Sequence, residues 1–334
     1  GCSADATCPR RYERKARPMQ VLDLPIPDAT PDAVCFAPDG RALAAVCRGR
    51  VFVLDAATGT ARVVVPDADE QFAGRHGAAF TADGRAVVVH HSLYPTSVVE
   101  VHDLETGQVL RDLALRFSDP CDPEPGGRLV YAAVQPERSR HEVEIVRWDP
   151  LTGARLPGFA RQRSGLQQLA VSADQAWVAG SGGSQVRLWN LGGNRRPERA
   201  TKVFTLEYAL VVVLAIAGDG GFVAAGTFEN LVNHNGAVRV LDRATGEVWV
   251  ASPRDRENER HGVGARDLAF HPSRPLLAFR GETGEAVFYD CAARAELKRF
   301  AWDVGPLTAL SFSQDGLRCA AGATGKVVVW DVDV

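Results

Sequence analysis

Short apolar runs in which hydrophobic and polar positions alternate recur along the chain, and each ends in a tight polar turn. Four of these turns read Asp-x-x-Thr-Gly, where aspartate accepts backbone hydrogen bonds and glycine takes the positive φ that closes the turn. The turn residue recurs at Asp55, Asp103, Asp149, Asn190, Asp242, Asp290 and Asp331. Its spacing of 41 to 52 residues predicts seven copies of one repeat, arrayed as a single closed body.

Each repeat is predicted to form four strands, which we call a, b, c and d in chain order. In the first repeat the apolar runs are 33–38, 42–47, 50–55 and 61–65, and Asp39-Gly40 supplies the a–b turn. Asp-Gly pairs between alternating runs are the strongest short-range signal for a hairpin. Strands this short and this regular are typical of a radial array of small sheets.

The last repeat supplies three strands, at 307–312, 317–322 and 327–331. Its fourth strand is predicted at residues 19–24, so that an N-terminal strand completes the last blade and leaves no open sheet edge. The predicted fold class is all-β, a seven-bladed β-propeller of four-stranded antiparallel blades. Residues 18–334 form this single domain, and the basic residues 1–17 are predicted to be a disordered tail, with contact to an anionic partner or membrane surface as the alternative.

Composition narrows the class of partner. Of the 334 residues, 46% are hydrophobic and 24% charged, with a net charge of −3, which is ordinary for a globular protein. No basic stripe runs through the repeats, so we expect no nucleic-acid partner. The longest apolar run, residues 209–217, is too short to span a membrane. It lacks polar alternation and is predicted to be the innermost strand of a blade, buried on both faces.

The seven cysteines are odd in number and form no C-x-x-C pair, so a disulfide framework is not expected and a reducing cytoplasm is favoured. The start of the chain, Gly1-Cys2-Ser3, resembles the end of a bacterial lipoprotein cleavage site. Lipid anchoring through Cys2 is therefore the alternative to a cytoplasmic location.

Several third strands end in an aromatic residue followed by Asp or Asn, at Trp148-Asp149, Trp189-Asn190 and Trp330-Asp331. With the first-hairpin segments 33–45 and 307–322, they make residues 19–334 resemble the WD40-repeat β-propellers, as a divergent, prokaryotic-looking member. The resemblance implies a scaffold that binds protein or peptide partners. The family's internal hydrogen-bonded set is mostly absent, because His261 is followed by Gly281, Thr283 and Tyr289 where Ser, Asp and Trp would stand.

In such a propeller the b–c and d–a connections lie on one face and the a–b and c–d turns on the other. The second set is predicted to be uniformly short, whereas the first set has insertions at 90–97, 134–142, 226–237 and 253–261. Long loops on a rigid scaffold are where binding usually occurs. The predicted partner-binding residues are Tyr94, Phe228, Asn230, His234, Arg254, Arg256, Arg260 and His261. The alternatives are aromatic side chains that fold back onto their own blades and charged loops that are simply solvated.

No catalytic, metal or cofactor site is predicted. His90, His91, His102 and His141 fall in neighbouring repeats, but without a carboxylate or cysteine at ligand spacing they are interpreted as scattered surface histidines. Trp177, Trp249 and Trp302 are interpreted as packing residues. The favoured function is a non-enzymatic, monomeric interaction scaffold. A hydrolase or lactonase with a site at the mouth of the central channel, or a small-molecule sensor, is the alternative.

Overall fold

The computed structural model describes residues 20–47, 50–65, 76–93, 96–116, 121–123, 127–134, 142–162, 165–192, 200–206, 209–228, 236–252, 267–281 and 283–333. Within these residues strands are the only regular elements, and they form seven separate four-stranded antiparallel sheets. The predicted seven-bladed β-propeller is confirmed. The predicted basic tail, residues 1–17, lies outside the described residues.

The N-terminal strand is β1 (Gln20–Asp23). Blade 1 contains β2 (Ala33–Phe36), β3 (Ala42–Cys47), β4 (Arg50–Asp55) and β5 (Ala61–Val65); blade 2 contains β6 (His76–Phe80), β7 (Ala86–Leu93), β8 (Thr96–Asp103) and β9 (Val109–Arg116). Blade 3 contains β10 (Cys121–Pro123), β11 (Val130–Val134), β12 (Val143–Trp148) and β13 (Arg155–Gln162). Blade 4 contains β14 (Gln168–Val171), β15 (Trp177–Gly182), β16 (Gln185–Asn190) and β17 (Lys202–Thr205). Blade 5 contains β18 (Leu210–Ile216), β19 (Phe222–Phe228), β20 (Gly236–Asp242) and β21 (Val248–Val250). Blade 6 contains β22 (Leu268–Phe270), β23 (Leu276–Arg280), β24 (Ala286–Asp290) and β25 (Ala295–Phe300). Blade 7 contains β26 (Ala309–Phe312), β27 (Arg318–Ala323), β28 (Lys326–Asp331) and β1.

Asp55 shows how the sequence closes the c–d turns. Its Oδ1 accepts the backbone N–H groups of Ala57 at 2.9 Å and Thr58 at 2.7 Å, and Gly59 follows with a φ of 73°. The same bonds recur at Asp103, Asp149 and Asp242. Hydrogen bonding to Thr58 holds the pKa of Asp55 below its usual value, so a charged acceptor stabilises the turn at neutral pH.

The N-terminal strand closes the ring, as predicted. It pairs antiparallel with β28, placing Leu22 opposite Val327, and the N–H of Leu24 donates to the carbonyl oxygen of Gly325 at 2.8 Å. Arg318 of blade 7 also reaches across to blade 1, where its guanidinium lies 5.4 Å from the ring centroid of Phe36. One sheet therefore holds the first and last strands of the chain together, and the propeller has no open junction there.

The hydrophobic core lies between neighbouring blades. Trp189 of blade 4 is fully buried in one cluster with Tyr131 and Ile145 of blade 3. Trp330 of blade 7 packs in the same way against Phe288 and Phe300 of blade 6. The aromatic residue that ends strand c thus faces the preceding blade and helps to fix the angle between the two sheets.

The other tryptophans also pack as predicted. Trp177 is buried in the cluster between blades 4 and 5, and Trp302 stacks on Phe300 with ring centroids 5.4 Å apart. Trp249 of blade 5 donates its indole N–H to the hydroxyl oxygen of Tyr289 of blade 6 at 3.0 Å. Trp249 therefore links two blades by a hydrogen bond as well as by packing.

The innermost strand of blade 5, β18, is only partly as predicted. It does occupy the inner position of its sheet, and Val211, Leu214 and Ile216 are buried. Leu210 is 44% exposed, however, so the strand is not buried on both faces along its whole length. A β-bulge between Val211 and Val213 shifts the register there, and a bulge bends its strand and increases the local twist.

Candidate functional site

The strand order fixes which connections share a face of the ring. Successive antiparallel strands place all b–c and d–a connections on one face, which we call the b–c rim, and all a–b and c–d turns on the other, which we call the a–b rim. The two rims differ in how far their hairpins extend and in how regular their turns are.

Within the described residues of the b–c rim, the paired strands of two hairpins are longer than those of the other blades. In blade 2, β7 and β8 are 8 residues each and pair up to Leu93 opposite Thr96. In blade 5, β19 and β20 are 7 residues each and pair up to Phe228 opposite Gly236. The matching hairpin of blade 4 ends earlier in its repeat, with Gly182 opposite Gln185.

This geometry corrects one prediction. Residues 90–93 and 96–97 do not belong to a loop inserted into blade 2, because their backbone continues β7 and β8 as paired strands. The β-branched residues flanking the insertion favour the strand conformation, and the pairing satisfies backbone groups that a loop would leave open. Part of the predicted insertion 226–237 is likewise strand.

The rim end of blade 5 carries an exposed apolar residue. Leu210 of β18 lies opposite Phe228 of β19, which in turn lies opposite Gly236 of β20. Three strands of the blade therefore reach the rim together, and Leu210 keeps 44% of its surface exposed there. Sequence reasoning missed Leu210 because it belongs to a run of nine apolar residues that resembles a buried strand throughout.

The predicted partner-binding residues fall mostly outside the described part of the chain. Those outside it are Tyr94, Asn230, His234, Arg254, Arg256, Arg260 and His261. Phe228 is the last residue of β19, and its backbone pairs with Leu210. The strand bounds place the predicted loops in the connections 94–95, 229–235 and 251–267, all of which belong to the b–c rim.

The a–b rim has an exception that the sequence interpretation missed. Its turns were predicted to be uniformly short, but residues 191–201 separate β16 from β17 in blade 4. Asn190 stands in place of the turn aspartate without a following Thr-Gly, and its Oδ1 accepts the N–H of Gly192 at 2.9 Å. With no glycine at the closing position, the chain does not return into strand d after one tight turn.

Several a–b turns carry aspartates whose carboxylates accept hydrogen bonds within the same turn. Ser172 donates to Asp174 Oδ1 at 2.5 Å while its own oxygen accepts the N–H of Trp177 at 2.9 Å. The same arrangement recurs in blades 2 and 7, where Thr81 and Ser313 each donate to an aspartate at 2.6 Å. The hydroxyl of Thr81 lowers the pKa of Asp83, so this carboxylate is a charged turn acceptor and not a proton donor at neutral pH.

Blade 6 breaks this pattern with a buried histidine. His271 occupies the position of Ser172 and Ser313, and its Nε2 lies 3.1 Å from the carbonyl oxygen of Gly316 in blade 7. Burial, and next the positive charge of Arg274, lower the pKa of His271, so the ring is neutral at neutral pH. Alignment of the repeats could have identified His271, because it stands at the position that Thr81, Ser172 and Ser313 occupy in their own repeats.

A depression of about 380 Å³ opens beside this turn on the a–b rim. Its lining residues are Ala173, Asp174, Gly218, Asp219, Pro272, Ser273, Arg274 and Pro275. They come from the a–b turns of blades 4, 5 and 6. The N–H of Asp174 donates to the carbonyl oxygen of Gly218 at 3.0 Å and so joins the turns of blades 4 and 5.

Within its described residues, blade 6 lacks the internal hydrogen-bonded set of the WD40 resemblance and has a different one, centred on Glu285. Thr283 donates its N–H at 2.9 Å and its hydroxyl at 2.6 Å to Glu285 Oε2, and Arg299 pairs with the other carboxylate oxygen. Burial works to raise the pKa of Glu285, but these donors outweigh it and the pKa is lower than usual. Glu285 is a buried structural anion that the sequence interpretation did not identify.

The histidine interpretation needs correction at two positions. His90 and His102 are buried strand residues and not surface histidines. His102 also has a carboxylate beside it, because its Nε2 lies 2.8 Å from Glu100 Oε2. The side chains of His91 and His141 lie outside the described residues. Within the described residues no group of three or more His, Cys, Asp or Glu side chains could hold a metal ion.

The described thiols are unsuited to act as nucleophiles. Burial raises the pKa of Cys35, Cys47 and Cys291 to about 12, and it raises the pKa of Cys319 as well. All four are free cysteines and protonated at neutral pH.

Among the residues that the structure describes, no helix is long and apolar enough to cross a bilayer.

Comparison with known proteins agrees with this geometry. The family model described as "WD domain, G-beta repeat" matches residues 297–331, which run from strand d of blade 6 to strand c of blade 7. Among solved structures, Kuenenia stuttgartiensis Hydrazine Synthase is similar at a TM-score of 0.69 and 16% identity, over 94% of this chain and 98% of that one. At this low identity, the structural similarity shows a shared fold alone. A search of curated proteins finds no match.

Proposed function

Because this chain is a WD40-type seven-bladed β-propeller, we propose that it acts as a non-enzymatic interaction scaffold that binds a protein or peptide on the b–c rim. The observation that carries the proposal is the rim end of blade 5, where an exposed Leu210 lies opposite Phe228. Aromatic residues are enriched at protein interfaces, and an exposed leucine beside one adds apolar contact area. We place the protein in the cytoplasm.

The disposition of polar groups supports a binding role over a catalytic one. The turn carboxylates of the described residues are acceptors of short-range hydrogen bonds, and Cys35, Cys47, Cys291 and Cys319 are protonated thiols. Catalytic acids and bases need pKa values close to the working pH, reached by displacing the pKa toward it. In Asp55, Asp83 and Glu285 the displacement goes the opposite way, toward stronger acids.

Charged residues of the long d–a connection complete the proposed surface. Arg254, Arg256, Arg260 and His261 lie in the connection 251–267 that follows blade 5, and Asn230 and His234 lie in its b–c connection. All belong to the rim on which Leu210 is exposed. We propose that they flank the apolar anchor as a polar border and set the choice of partner, since charged residues at the edge of an interface steer association.

Two leucines of opposite rims allow a matched test. Leu210→Asp places a charge on the b–c rim, and Leu317→Asp does the same on the a–b rim, where Leu317 is 68% exposed. Affinity capture from lysate of the source organism is expected to enrich one partner with the wild-type chain and the Leu317 variant, and to lose it with Leu210→Asp. A partner retained by Leu210→Asp and lost by Leu317→Asp would place binding on the other rim, and no enrichment by folded wild type would contradict a scaffold.

A further inference from the structure

The a–b turn of blade 6 is built on an imidazole where blades 2, 4 and 7 use a hydroxyl. Thr81, Ser172 and Ser313 each accept one backbone N–H and donate to an aspartate two residues ahead. His271 stands in the same column, and Ser273 takes the place of the aspartate. A group that does not titrate near neutral pH is thus replaced in one blade by a group that does.

Both nitrogens of the His271 imidazole form hydrogen bonds. Nδ1 accepts the backbone N–H groups of Ser273 and Arg274, each at 3.2 Å. Nε2 donates to the carbonyl oxygen of Gly316 in blade 7 at 3.1 Å. The side chain is 5% exposed, and its ring packs edge-on against Phe312 of blade 7 with centroids 5.4 Å apart. The arrangement requires a neutral ring with its proton on Nε2.

A second proton would convert Nδ1 from an acceptor into a donor facing two N–H donors. The two bonds to Ser273 and Arg274 would be lost together, and the two N–H groups would have to find other partners. Residues 272–275 form one wall of the depression on the a–b rim, across from Asp174 and Asp219. Loss of the two bonds would therefore release that wall.

The charged groups around the ring act on the pKa of His271 in opposite directions. Arg274 on the same turn disfavours the imidazolium, and Asp315 on the facing turn of blade 7 favours it. Asp219 of blade 5 lies across the depression. Burial lowers the pKa of His271 most, and Arg274 adds to this effect. The ring therefore stays neutral in mildly acidic solution and is protonated only below the usual pKa of histidine.

We propose that His271 is a proton-operated switch whose neutral ring holds the wall of the a–b rim depression against blade 7, and whose protonation releases residues 272–275. Above pH 6.5 the ring is neutral in both folded and unfolded chains, and its stabilising bonds are fully present. As the pH falls below 6.5 the unfolded chain takes up a proton first, so the local stability declines toward the lower folded pKa. Any ligand of this rim would then bind in a pH-dependent way.

Amide hydrogen exchange, corrected for the intrinsic effect of pH, tests the switch in the full-length chain. Between pH 7.5 and pH 5 we expect the amides of Ser273 and Arg274 to lose protection about tenfold. The equivalent turn of blade 4, built on Ser172, should keep its protection. In His271→Gln, which cannot titrate, the loss at Ser273 and Arg274 should disappear. Unchanged protection in the wild type, or the same loss in His271→Gln, would overturn the proposal.

A measurement on the wild type covers the case in which the variant fails to fold. Nitrogen NMR of the imidazoles should show one ring protonated on Nε2 that titrates below 6.5, together with shifts of the Ser273, Arg274 and Gly316 amides. A His271 ring that titrates at or above 6.5, or carries its neutral proton on Nδ1, would overturn the proposal.

Discussion

Leu22 of the N-terminal strand lies opposite Val327 of the last long strand, so the two ends of the domain meet in one sheet. The Leu22 side chain is 1% exposed and packs with Phe36 and Leu54 of blade 1. Ring closure therefore depends on a strand of only four residues, β1, that buries one large apolar side chain between blades 7 and 1.

Replacing Leu22 should weaken this closure strongly. We expect Leu22→Ala to lower the free energy of unfolding by about 2–5 kcal/mol, because it removes buried apolar surface and leaves a cavity. Val21 of the same strand is exposed, and Val21→Ala should change the free energy by about 0.5 kcal/mol or less. Urea unfolding of both variants measures the difference, and equal effects would show that β1 does not close the ring as described. Deletion of residues 1–24 should lower the melting temperature further.

Gly316 offers a test of the junction between blades 6 and 7. A Cβ at Gly316 would lie 2.3 Å from His271 Nε2, whereas a Cβ at Gly183 would meet no atom within 4 Å. Both glycines have positive φ, at 73° and 61°, so alanine strains the backbone similarly at each. We expect Gly316→Ala to be about 1–3 kcal/mol more destabilising than Gly183→Ala. Thermal unfolding measures this difference, and equal stability would contradict the packing of His271 on Gly316.

The turn aspartates predict acid sensitivity. Hydrogen bonds lower the pKa of Asp83, mainly that from the Thr81 hydroxyl, so its contribution to stability is complete above the unfolded pKa of about 3.9 and is lost as the pH falls through the lower folded value. Asp83→Asn keeps an acceptor oxygen but does not titrate in this range. We expect its melting temperature to fall less between pH 5 and pH 2 than that of the wild type. Parallel curves for the two proteins would show that Asp83 does not act as a charged acceptor.

The three buried thiols predict selective protection from alkylation. Cys47, Cys291 and Cys319 should react with iodoacetamide at pH 8 at least about a hundredfold more slowly in the native protein than in urea, because burial keeps them protonated and inaccessible. Peptide mass spectrometry resolves each site. Rapid native modification of Cys319 would be incompatible with its position in the core of blade 7.

The sequence predicted the fold well because each repeat carries its own turn chemistry. Asp55 and Gly59 specify a tight turn through two local hydrogen bonds and one positive φ, and such bonds depend on few residues outside the turn. The pairing of residues 19–24 with blade 7 was also predictable, since only one blade lacked a fourth strand. Both features follow from local pattern and counting.

The functional surface was less predictable because it depends on where strands stop. Residues 90–97 look like an inserted loop in sequence, yet continued pairing makes residues 90–93 part of β7 and residues 96–97 part of β8. The sequence pattern places Leu210 in the core, yet Leu210 is exposed at the rim beside the bulge that follows Val211. His271 is set apart only by its bonds to the next blade and its own turn, which no single repeat reveals.

The central claim is that a partner binds the b–c rim at blade 5, and a hydrogen-exchange footprint of the purified complex tests it most directly. With the captured partner bound, we expect added protection in the rim ends of β18, β19 and β20, around Leu210 and Phe228, and in the connection 251–267. The a–b rim peptide that contains Leu317 should be unchanged. Protection confined to the a–b rim, with blade 5 unaffected, would contradict the account.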